Sequence, residues 1–334
     1  MVSLYITSVE EGAGKTTIGA GLGRRLRDGG KKVAFFKPVI GRDSSSLAET
    51  GENDAWFMKG LLGLEEPVEI ISPVVTDWNQ LSGAFKEAYN RVTSGKDVVI
   101  SEGPGESSIV KALDARVIAV ESYSAPAPRV KYIDHYRGLG KHLLGIVYNG
   151  VSAGKLDQVR SEVNRQLEGS GMDVLGVLPE DRALLTLTVG ELARCIQGKM
   201  LNSDERATEL IDSIMIGAMT VDSGPIYFGR KKNKAVLVRS DRPDMQLAAL
   251  ETATRCLVLC GDTLPISAVL YGAEVKNVPI ILTENDIANS MDNIEAALAG
   301  NRFRQEKKMP RLTELLGQQL DLPALYKELG LVAG

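Results

Sequence analysis

Short apolar runs recur along the first half of the chain, and polar segments with helical periodicity separate them. Runs of this length indicate buried strands, and their alternation with helices indicates a mostly parallel sheet covered on both faces. The predicted strands are Leu4–Thr7, Val33–Phe36, Val98–Ser101, Val117–Val120, Leu143–Tyr148 and Val174–Leu178. Gly29 and Gly30 follow the first helical pattern, where a C-cap is expected. The pattern therefore predicts an α/β domain over residues 1–185.

A second and shorter α/β pattern follows over residues 186–300. The predicted strands are Leu185–Val189, Ala235–Arg239, Cys256–Leu259 and Pro279–Thr283, and the predicted helices lie near Gly190–Ile196 and over Gly198–Asp212. Ile214–Met219 is apolar, which suits a contact between domains or subunits as well as a local core. We therefore expect a second small α/β domain.

The last residues, 301–334, have a different pattern. Arg302 to Arg311 is strongly basic, and leucines then recur at helical spacing at Leu312, Leu315, Leu316 and Leu320. A packed amphipathic C-terminal helix is the simpler interpretation, and a partner-binding tail is the alternative.

Composition excludes several classes of function. The net charge of −4 and the isoelectric point near 5.5 leave no basic surface for nucleic acid or anionic membrane. No apolar run reaches the ~18 residues that span a bilayer, and the first residues do not resemble a signal peptide, so we expect a cytoplasmic protein. The three cysteines form no C-x-x-C pair, which fits a reducing compartment. Cys256 and Cys260 lie in a strand-like run, which favours core packing over metal binding.

The segment Ser8–Thr17, SVEEGAGKTT, follows an apolar strand and opens a helical pattern. Gly12 and Gly14 allow backbone N–H groups to curl around an anion, and Lys15 supplies a cation for the β- and γ-phosphates of a nucleotide. Thr16 would then hold Mg²⁺. The strict pattern G-x-x-x-x-G-K-[ST] requires glycine where this chain has Val9. A glycine-rich turn with an exposed lysine, or a nucleotide site without activity, therefore stays open.

Mg-ATP chemistry also needs acidic ligands for the metal and a second cation near the phosphoryl group. Glu102 follows one predicted strand and Lys37 another, both at the carboxyl edge where open α/β sheets bind ligands. Gly103 and Gly105 would let a substrate approach closely. A turn glutamate and a surface lysine are the alternatives. Asp54 follows the predicted polar loop Gly41–Asn53, where helix capping is as consistent as Mg²⁺ binding.

The order of these motifs carries a family resemblance. GAGKTT, Lys37-Pro38-Val39, Asp54, Glu102-Gly103-Pro104-Gly105, Asn149 and Gly176-Val177-Leu178-Pro179 resemble the dethiobiotin synthetase and cobyrinate amide synthase branch of P-loop proteins. The match is closer to the synthetase-like N-terminal part of long phosphotransacetylases. The resemblance implies a P-loop NTPase domain that binds ATP and Mg²⁺, and related synthetases imply a homodimer.

The same resemblance implies a role for individual residues, which fall into three groups. The phosphate-binding loop would comprise Gly12, Ala13, Gly14, Lys15, Thr16 and Thr17, the metal ligands would be Thr16, Asp54 and Glu102, and the catalytic cations would be Lys15 and Lys37. Asn149 would recognise adenine; without the resemblance it would be interpreted equally well as a turn residue.

Two departures limit the activities expected. Dethiobiotin synthetases carry a substrate-binding serine shortly after the Lys-Pro pair, where this chain has Ile40-Gly41, so diamine carboxylation is not expected. Cobyrinate amide synthases add a glutaminase domain with a cysteine nucleophile and a histidine. This chain has only His135 and His142, both in the first domain, and no Gly-x-Cys-x-Gly, so glutamine-dependent amidation is not expected either.

The second domain resembles the DRTGG domain of long phosphotransacetylases and regulated pyrophosphatases. The matching segment is Ser240–Leu250, SDRPDMQLAAL, in which only the Asp and Arg of the name survive. Asp241 is expected to cap a helix whose first turn contains Pro243, and Asp244 would discourage an anion from binding there. A capped helix without a ligand and a regulatory nucleotide or subunit contact are both consistent. The chain ends at Gly334 without an acetyltransferase-like segment, so phosphotransacetylase activity is not expected.

The leading hypothesis is an Mg-ATP-binding regulatory or sensor protein, with slow ATP hydrolysis left open and with a protein partner in acetyl-phosphate metabolism. The rival is an ATP-dependent ligase that phosphorylates a carboxylate or carbamate near Lys37, Gly103 and Gly105 for attack by an amine. A binding module with an inactive nucleotide site is the third hypothesis.

Overall fold

The computed structural model describes residues 1–40, 44–75, 83–123, 131–181, 183–218, 224–299 and 303–331. The chain forms two compact units, one of Met1–Asp181 together with Arg302–Gly334 and the other of Arg182–Asn301. The chain thus leaves the first unit, builds the second, and returns to the first. None of the described helices is both long and apolar enough to cross a lipid bilayer.

The first unit is built on a six-stranded sheet with the order β2-β5-β1-β6-β7-β8, and β3 and β4 form a separate pair. Its strands are β1 Val2–Thr7, β2 Val33–Phe36, β3 Val39–Ile40, β4 Val74–Val75, β5 Val98–Glu102, β6 Arg116–Ser122, β7 Leu143–Val151 and β8 Val174–Pro179. All neighbours pair in parallel. Leu4, Tyr5 and Ile6 of the central strand are at most 1% exposed, as the continuous apolar runs of a parallel sheet require.

The connections between these strands are mostly helical. The helices are α1 Lys15–Asp28, α2 Ser44–Leu62, α3 Val68–Ile71, α4 Ala84–Thr93, α5 Ser107–Ala112, α6 Lys131–Arg137 and α7 Leu156–Leu167. Helix α1 starts directly after the loop that follows β1 and ends where Gly29 and Gly30 supply the C-cap, as predicted. The parallel arrangement brings the carboxyl ends of β1, β2 and β5 together beside the start of α1.

The second unit has a five-stranded sheet with the order β10-β11-β12-β13-β9, in which only β9 is antiparallel. Its strands are β9 Lys199–Met200, β10 Ser213–Gly217, β11 Lys234–Arg239, β12 Thr254–Cys260 and β13 Ile280–Thr283, and its helices are α8 Val189–Cys195, α9 Gly224–Phe228, α10 Pro243–Leu250, α11 Ser267–Val275 and α12 Ile287–Ala299. Two apolar clusters fill its core. Cys256 and Cys260 are buried within β12, as predicted.

The C-terminal segment contains two helices, α13 Met309–Gln319 and α14 Leu322–Glu328, where the leucine spacing predicted one. Helix α13 packs against α1, and the periodic leucines Leu312, Leu315 and Leu316 are at most 4% exposed. Asp321 caps α14 by accepting a hydrogen bond from the backbone N–H of Ala324, and Pro323 lies in its first turn. This cap ends the periodic pattern, because it starts a new helix where the apolar spacing alone continues the old one.

Three local predictions are wrong. Leu185–Val189 is not a strand, because Thr188 and Glu191 form a capping box that starts α8 at Val189. Gly198–Asp212 is not a helix: it contains the short strand β9, and Ser203 adopts a left-handed conformation (φ 55°) beside Asn202 in a turn. Residues 44–53 of the predicted loop Gly41–Asn53 belong to α2 instead. Residues 41–43 lie outside the described part.

Candidate functional site

The loop between β1 and α1 is the first element of the site. Gly12 and Gly14 have φ angles of 77° and 102°, a region that L side chains rarely adopt. Gly14 is the N-cap of α1, and a Cβ atom there would lie 2.3 Å from Asn149 Nδ2. Gly12 has nothing within 4 Å of the corresponding position. Both glycines are therefore required by backbone conformation, and Gly14 also by the close approach of Asn149.

Polar side chains hold this loop in shape. Lys15 Nζ donates to Ser8 Oγ at 2.7 Å, and Ser8 Oγ donates to the carbonyl of Glu10 at 2.6 Å. Asn149, at the carboxyl end of β7, donates from Nδ2 to the carbonyl of Ala13 at 3.0 Å. The structure thus brings Lys15 and Asn149 to the same loop. A role for Asn149 in recognising adenine stays a prediction.

The carboxyl edge of the sheet brings the other predicted residues together in one network. Lys37 Nζ lies 2.6 Å from Asp54 Oδ2 and 2.9 Å from Glu102 Oε2. Thr16 Oγ1 donates to Glu102 Oε2 at 2.8 Å and accepts from Lys37 Nζ at 3.2 Å. Asp54 and Glu102 are at most 1% exposed, so neither is a turn residue in solvent. Asp54 lies within α2 and does not cap it.

The electrostatics of the network follow from this pairing. Burial alone would lower the pKa of Lys37, but Glu102 and Asp54 outweigh burial and raise that pKa above its ordinary value. Burial alone would likewise raise the pKa of Asp54, yet Lys37 and Arg304 hold it below its ordinary value. Both side chains are therefore charged at neutral pH.

Arg304 is a member of this network that the sequence did not indicate. Its Nε lies 2.7 Å from Asp54 Oδ1, although the two residues are 250 positions apart. The sequence signal here is the basic stretch from Arg302 to Arg311, for which a packed C-terminal helix is the simpler interpretation and a partner-binding tail the alternative. The contact was unpredictable from sequence because it depends on the C-terminal segment returning to the first unit.

The donor set suits a hard divalent cation. Thr16 offers a hydroxyl, and Asp54 and Glu102 offer carboxylates, which are the oxygen ligands that Mg²⁺ prefers. Glu102 Oε1 is buried and accepts no hydrogen bond from any described residue. Within the described part of the chain, this site included, no three His, Cys, Asp or Glu side chains are grouped closely enough to hold a metal without further ligands. The residues present therefore fit Mg²⁺ with few protein ligands, the remainder coming from phosphate oxygens and water.

Gly103 and Gly105 have a structural explanation. A Cβ atom at Gly103 would lie 2.2 Å from Tyr5 Oη, and one at Gly105 would lie 2.7 Å from His135 Nε2. Tyr5 also donates from its hydroxyl to the carbonyl of Pro104 at 2.9 Å. The space that these glycines leave is taken by side chains of the protein itself. Their presence is therefore not a sign of a substrate pocket.

The position where the phosphate-loop pattern fails is tied to a buried acid. The backbone N–H of Val9 donates to Glu121 Oε1 at 3.2 Å, and the hydroxyl of Tyr136 donates to the same oxygen. Glu121 is 1% exposed, and burial raises the pKa of its carboxyl. The start of the loop is therefore held by a side chain from β6, which the sequence pattern did not indicate.

In the second unit, the DRTGG-like segment Ser240–Leu250 forms the turn after β11 and the helix α10. The N-cap of α10 is Arg242, with Pro243 in the first turn. The predicted cap at Asp241 is wrong because Arg239 takes its carboxylate, with Nε to Oδ1 at 2.9 Å. Asp244 lies in the first turn as predicted, but Arg242 pairs with it at 2.7 Å. Both acids are thus neutralised by near neighbours at the surface.

Comparison with known proteins agrees with this architecture. Residues 2–90 match the family described as AAA domain, and residues 191–297 match the DRTGG domain. The fold is that of a P-loop α/β protein, followed by a DRTGG domain. The resemblance to the dethiobiotin synthetase branch and to phosphotransacetylases is confirmed by the relatives.

Two relatives by sequence and one solved structure illustrate what this chain is similar to. The phosphate acetyltransferase of Pseudomonas putida is 26% identical, and the match covers 99% of this chain and 52% of that protein. The ATP-dependent dethiobiotin synthetase of Bacillus licheniformis is 23% identical over 54% of this chain and 86% of the synthetase. The crystal structure of cobyrinic acid a,c-diamide synthase from Mycobacterium smegmatis, with bound ATP analog and magnesium, is 18% identical with a TM-score of 0.36, covering 55% of this chain and 88% of that one. This chain spans about half the length of the phosphate acetyltransferases that it matches.

Proposed function

We propose that the first unit binds Mg-ATP and that the bound nucleotide regulates a protein partner in acetyl-phosphate metabolism. One observation carries the proposal: Lys37, Asp54, Glu102 and Thr16 form a single network at the first turn of α1, where Lys15 donates back to the preceding loop. Loop, helix N-terminus, cations and oxygen ligands are the parts that a nucleoside triphosphate with Mg²⁺ requires.

The residues have distinct roles in this proposal. Backbone N–H groups of Gly12–Thr17 and the ammonium of Lys15 would bind the phosphates, and Thr16, Asp54 and Glu102 would hold Mg²⁺, which neutralises phosphate charge. Lys37 bridges the two carboxylates and would transfer to the γ-phosphate when the metal arrives. ATP hydrolysis stays open, as does a homodimer.

The regulatory hypothesis has more support than the ligase hypothesis. A ligase needs an acceptor beside the γ-phosphate, for which Gly103 and Gly105 were the candidate cradle. Tyr5 and His135 already occupy the space beside these glycines. The DRTGG match over residues 191–297 adds a domain of the kind that the resemblance associates with regulation. The ligase stays the alternative.

The decisive experiment is calorimetric titration with a non-hydrolysable ATP analogue in Mg²⁺, compared with a GTP analogue. We expect adenine-selective binding that Lys15→Ala abolishes and that Lys86→Ala, an exposed lysine on α4, preserves. Absence of binding to the unaltered protein would refute the proposal.

Regulation is tested separately by sedimentation velocity and by partner capture with and without the analogue. A nucleotide that regulates must bind two states with different affinity, so the oligomer or the amount of captured partner should change. Identical results in both conditions would leave a nucleotide-binding protein without the proposed regulatory role. Turnover that requires an added amine and a carboxylate would instead favour the ligase.

A further inference from the structure

Arg304 reaches the nucleotide site through a specific anchor. Phe303 packs edge-on against Phe57 of α2, with ring centroids 5.9 Å apart, and Arg304 pairs with Asp54 of the same helix. Asp54 and Phe57 are three residues apart and so lie on one face of α2. Two consecutive residues of the C-terminal segment therefore contact one face of the helix that carries a predicted metal ligand, and the contact is held by packing as well as charge.

The charges around Asp54 and Glu102 balance with Arg304 included. Lys37 forms an ion pair with Asp54 Oδ2 and Arg304 forms one with Asp54 Oδ1, so both oxygens of this carboxylate are paired with a cation. Glu102 Oε2 takes Lys37 as well. Two carboxylates thus have two cations, and the guanidinium cannot lose its charge by deprotonation. In this arrangement a free divalent cation meets a neutral cluster rather than a doubly negative one.

We propose that Arg304 suppresses the binding of free divalent cations to Asp54 and Glu102, so that the metal enters only together with a nucleotide. The inference deepens the proposed function and rests on it, since it concerns the same metal ligands. The triphosphate would draw Lys37 away from the carboxylates, while Arg304 keeps its place on the outer oxygen of Asp54. Arg304 is a positioning residue in this scheme and need not touch the nucleotide.

Charge repulsion decides the direction of the effect. A guanidinium one carboxylate away from the metal position repels a divalent cation, and although the Arg304 side chain is 29% exposed, the Asp54 carboxylate between the two charges is buried. It also orients Asp54, and loss of that orientation would weaken metal binding. We expect the repulsion between the divalent ion and the guanidinium to outweigh the loss of orientation, so removal of Arg304 should tighten cation binding.

The test measures Mn²⁺ binding to the nucleotide-free full chain. Free Mn²⁺ is quantified by electron paramagnetic resonance, or binding is measured by calorimetry. Arg304→Gln should bind Mn²⁺ about tenfold more tightly than the unaltered protein. Arg304→Lys, which keeps the charge, should stay within about twofold of the unaltered protein. Arg311→Gln is the matched control, since Arg311 lies in the same segment but pairs with Asp181 and Glu314, and it should have no effect.

Two further variants secure the interpretation. Adding Asp54→Asn to Arg304→Gln should abolish the gain, which assigns the ion to Asp54. Should Arg304→Gln fail to fold, Arg304→Met provides a second neutral side chain with a longer apolar stem. Unchanged or weaker Mn²⁺ binding in the folded neutral variant overturns the inference. Because no nucleotide is present, failure of the ATP titration would refute the proposed function without affecting this result.

Discussion

Both units are largely parallel sheets that gather charged residues where strands end, but the partners of those charges differ. In the first unit, Lys37, Asp54 and Glu102 have side chains at most 15% exposed, and their partners lie 17 to 250 residues away in sequence. In the second unit, Arg239 pairs with Asp241 and Arg242 with Asp244, each two residues away, and these side chains are 35–66% exposed.

The two kinds of ion pair differ in their desolvation cost. Burying a pair costs free energy, whereas an exposed pair between near neighbours forms at little cost. A surface pair between near neighbours needs little tertiary structure and contributes ~0–1 kcal/mol. A buried pair must first lose its hydration, and apolar residues in its place are often more stabilising. The buried network of the first unit therefore indicates a functional constraint, whereas the surface pairs of the DRTGG-like segment do not.

The largest expected effect comes from removing the central cation. Lys37→Met leaves Asp54 and Glu102 buried without the ammonium that joins them, and should lower the free energy of unfolding by about 3–5 kcal/mol at pH 7. Arg239→Met, in an exposed local pair, should lower it by less than about 1 kcal/mol. Urea denaturation of both variants measures the contrast. Similar losses would erase the distinction between the units.

The pH dependence of Lys37→Met has a defined sign. The lowered pKa of Asp54 stabilises the folded protein above the ordinary carboxyl range, and this contribution disappears as pH falls through the folded value. Lys37 is one of the two cations that lower this pKa. The stability gap between the unaltered protein and Lys37→Met should therefore narrow as the medium becomes acidic. A gap that widens toward low pH would contradict the assignment.

The next effect concerns the phosphate loop itself. Gly14→Ala forces a side chain into a positive φ and against Asn149 Nδ2, and should lower the free energy of unfolding by about 2–3 kcal/mol. Gly12→Ala meets only the conformational penalty and should cost about 1 kcal/mol. Thermal denaturation of the two variants compares them. Equal losses would show that the approach of Asn149 is not restrictive.

The sequence predicts a structural feature well when that feature depends on interactions between residues close in the chain. The six strands of the main sheet of the first unit and the loop before α1 are predicted closely, since apolar runs and the Gly-Ala-Gly-Lys-Thr segment carry their own local signal, whereas the two-residue strands β3 and β4 are not predicted. Strand ends predict that Lys37 and Glu102 share one edge, and the family resemblance adds Asp54 as a metal ligand; the structure brings the three side chains together.

Long-range contacts were beyond the sequence. Arg304 reaches Asp54 across 250 positions, and Tyr5 and His135 occupy the space beside Gly103 and Gly105, where the sequence predicts close approach by a substrate. Competition between neighbouring residues also makes a prediction wrong. The sequence predicts that Asp241 caps α10, but its carboxylate accepts a hydrogen bond from Arg239 instead. These outcomes depend on which of several possible partners the tertiary structure brings near, and no local pattern contains that choice.

Lys234 is a buried charge in the second unit and so an exception to the comparison. It is 0% exposed, its Nζ donates to Thr252 Oγ1 at 2.9 Å, and burial lowers its pKa to about 8. Lys234→Met should therefore raise the free energy of unfolding by about 2 kcal/mol at pH 7, because no buried charge remains to be desolvated. Chemical denaturation of both proteins measures the gain.

The sign of the pH dependence at Lys234 checks the cause. Because the folded pKa is about 8 and the ordinary value is 10.5, the unaltered protein regains stability as pH rises between these values. The stability gained by Lys234→Met should thus be largest below pH 8 and should disappear as the pH approaches 10.5. An advantage that persists unchanged at high pH would assign the effect to packing instead.

The smallest effect concerns Glu121, a buried acid of the first unit whose hydrogen bonds come from Val9 and Tyr136 rather than from a cation. Its raised pKa means that the folded protein keeps a proton that the unfolded chain has lost, so stability declines as pH rises from the ordinary value to the folded one. Glu121→Gln keeps an acceptor oxygen for both donors and carries no charge. The free energy of unfolding of this variant should match that of the unaltered protein in acid. At a pH above the folded pKa of Glu121 it should be higher by up to about 1 kcal/mol. Melting curves from pH 4 to pH 8 measure the difference, with Glu87→Gln, an exposed residue of α4, as the control. If Glu121→Gln is instead less stable at every pH, the carboxylate itself holds the loop at Val9, and the first unit uses charge even where no cation is in contact.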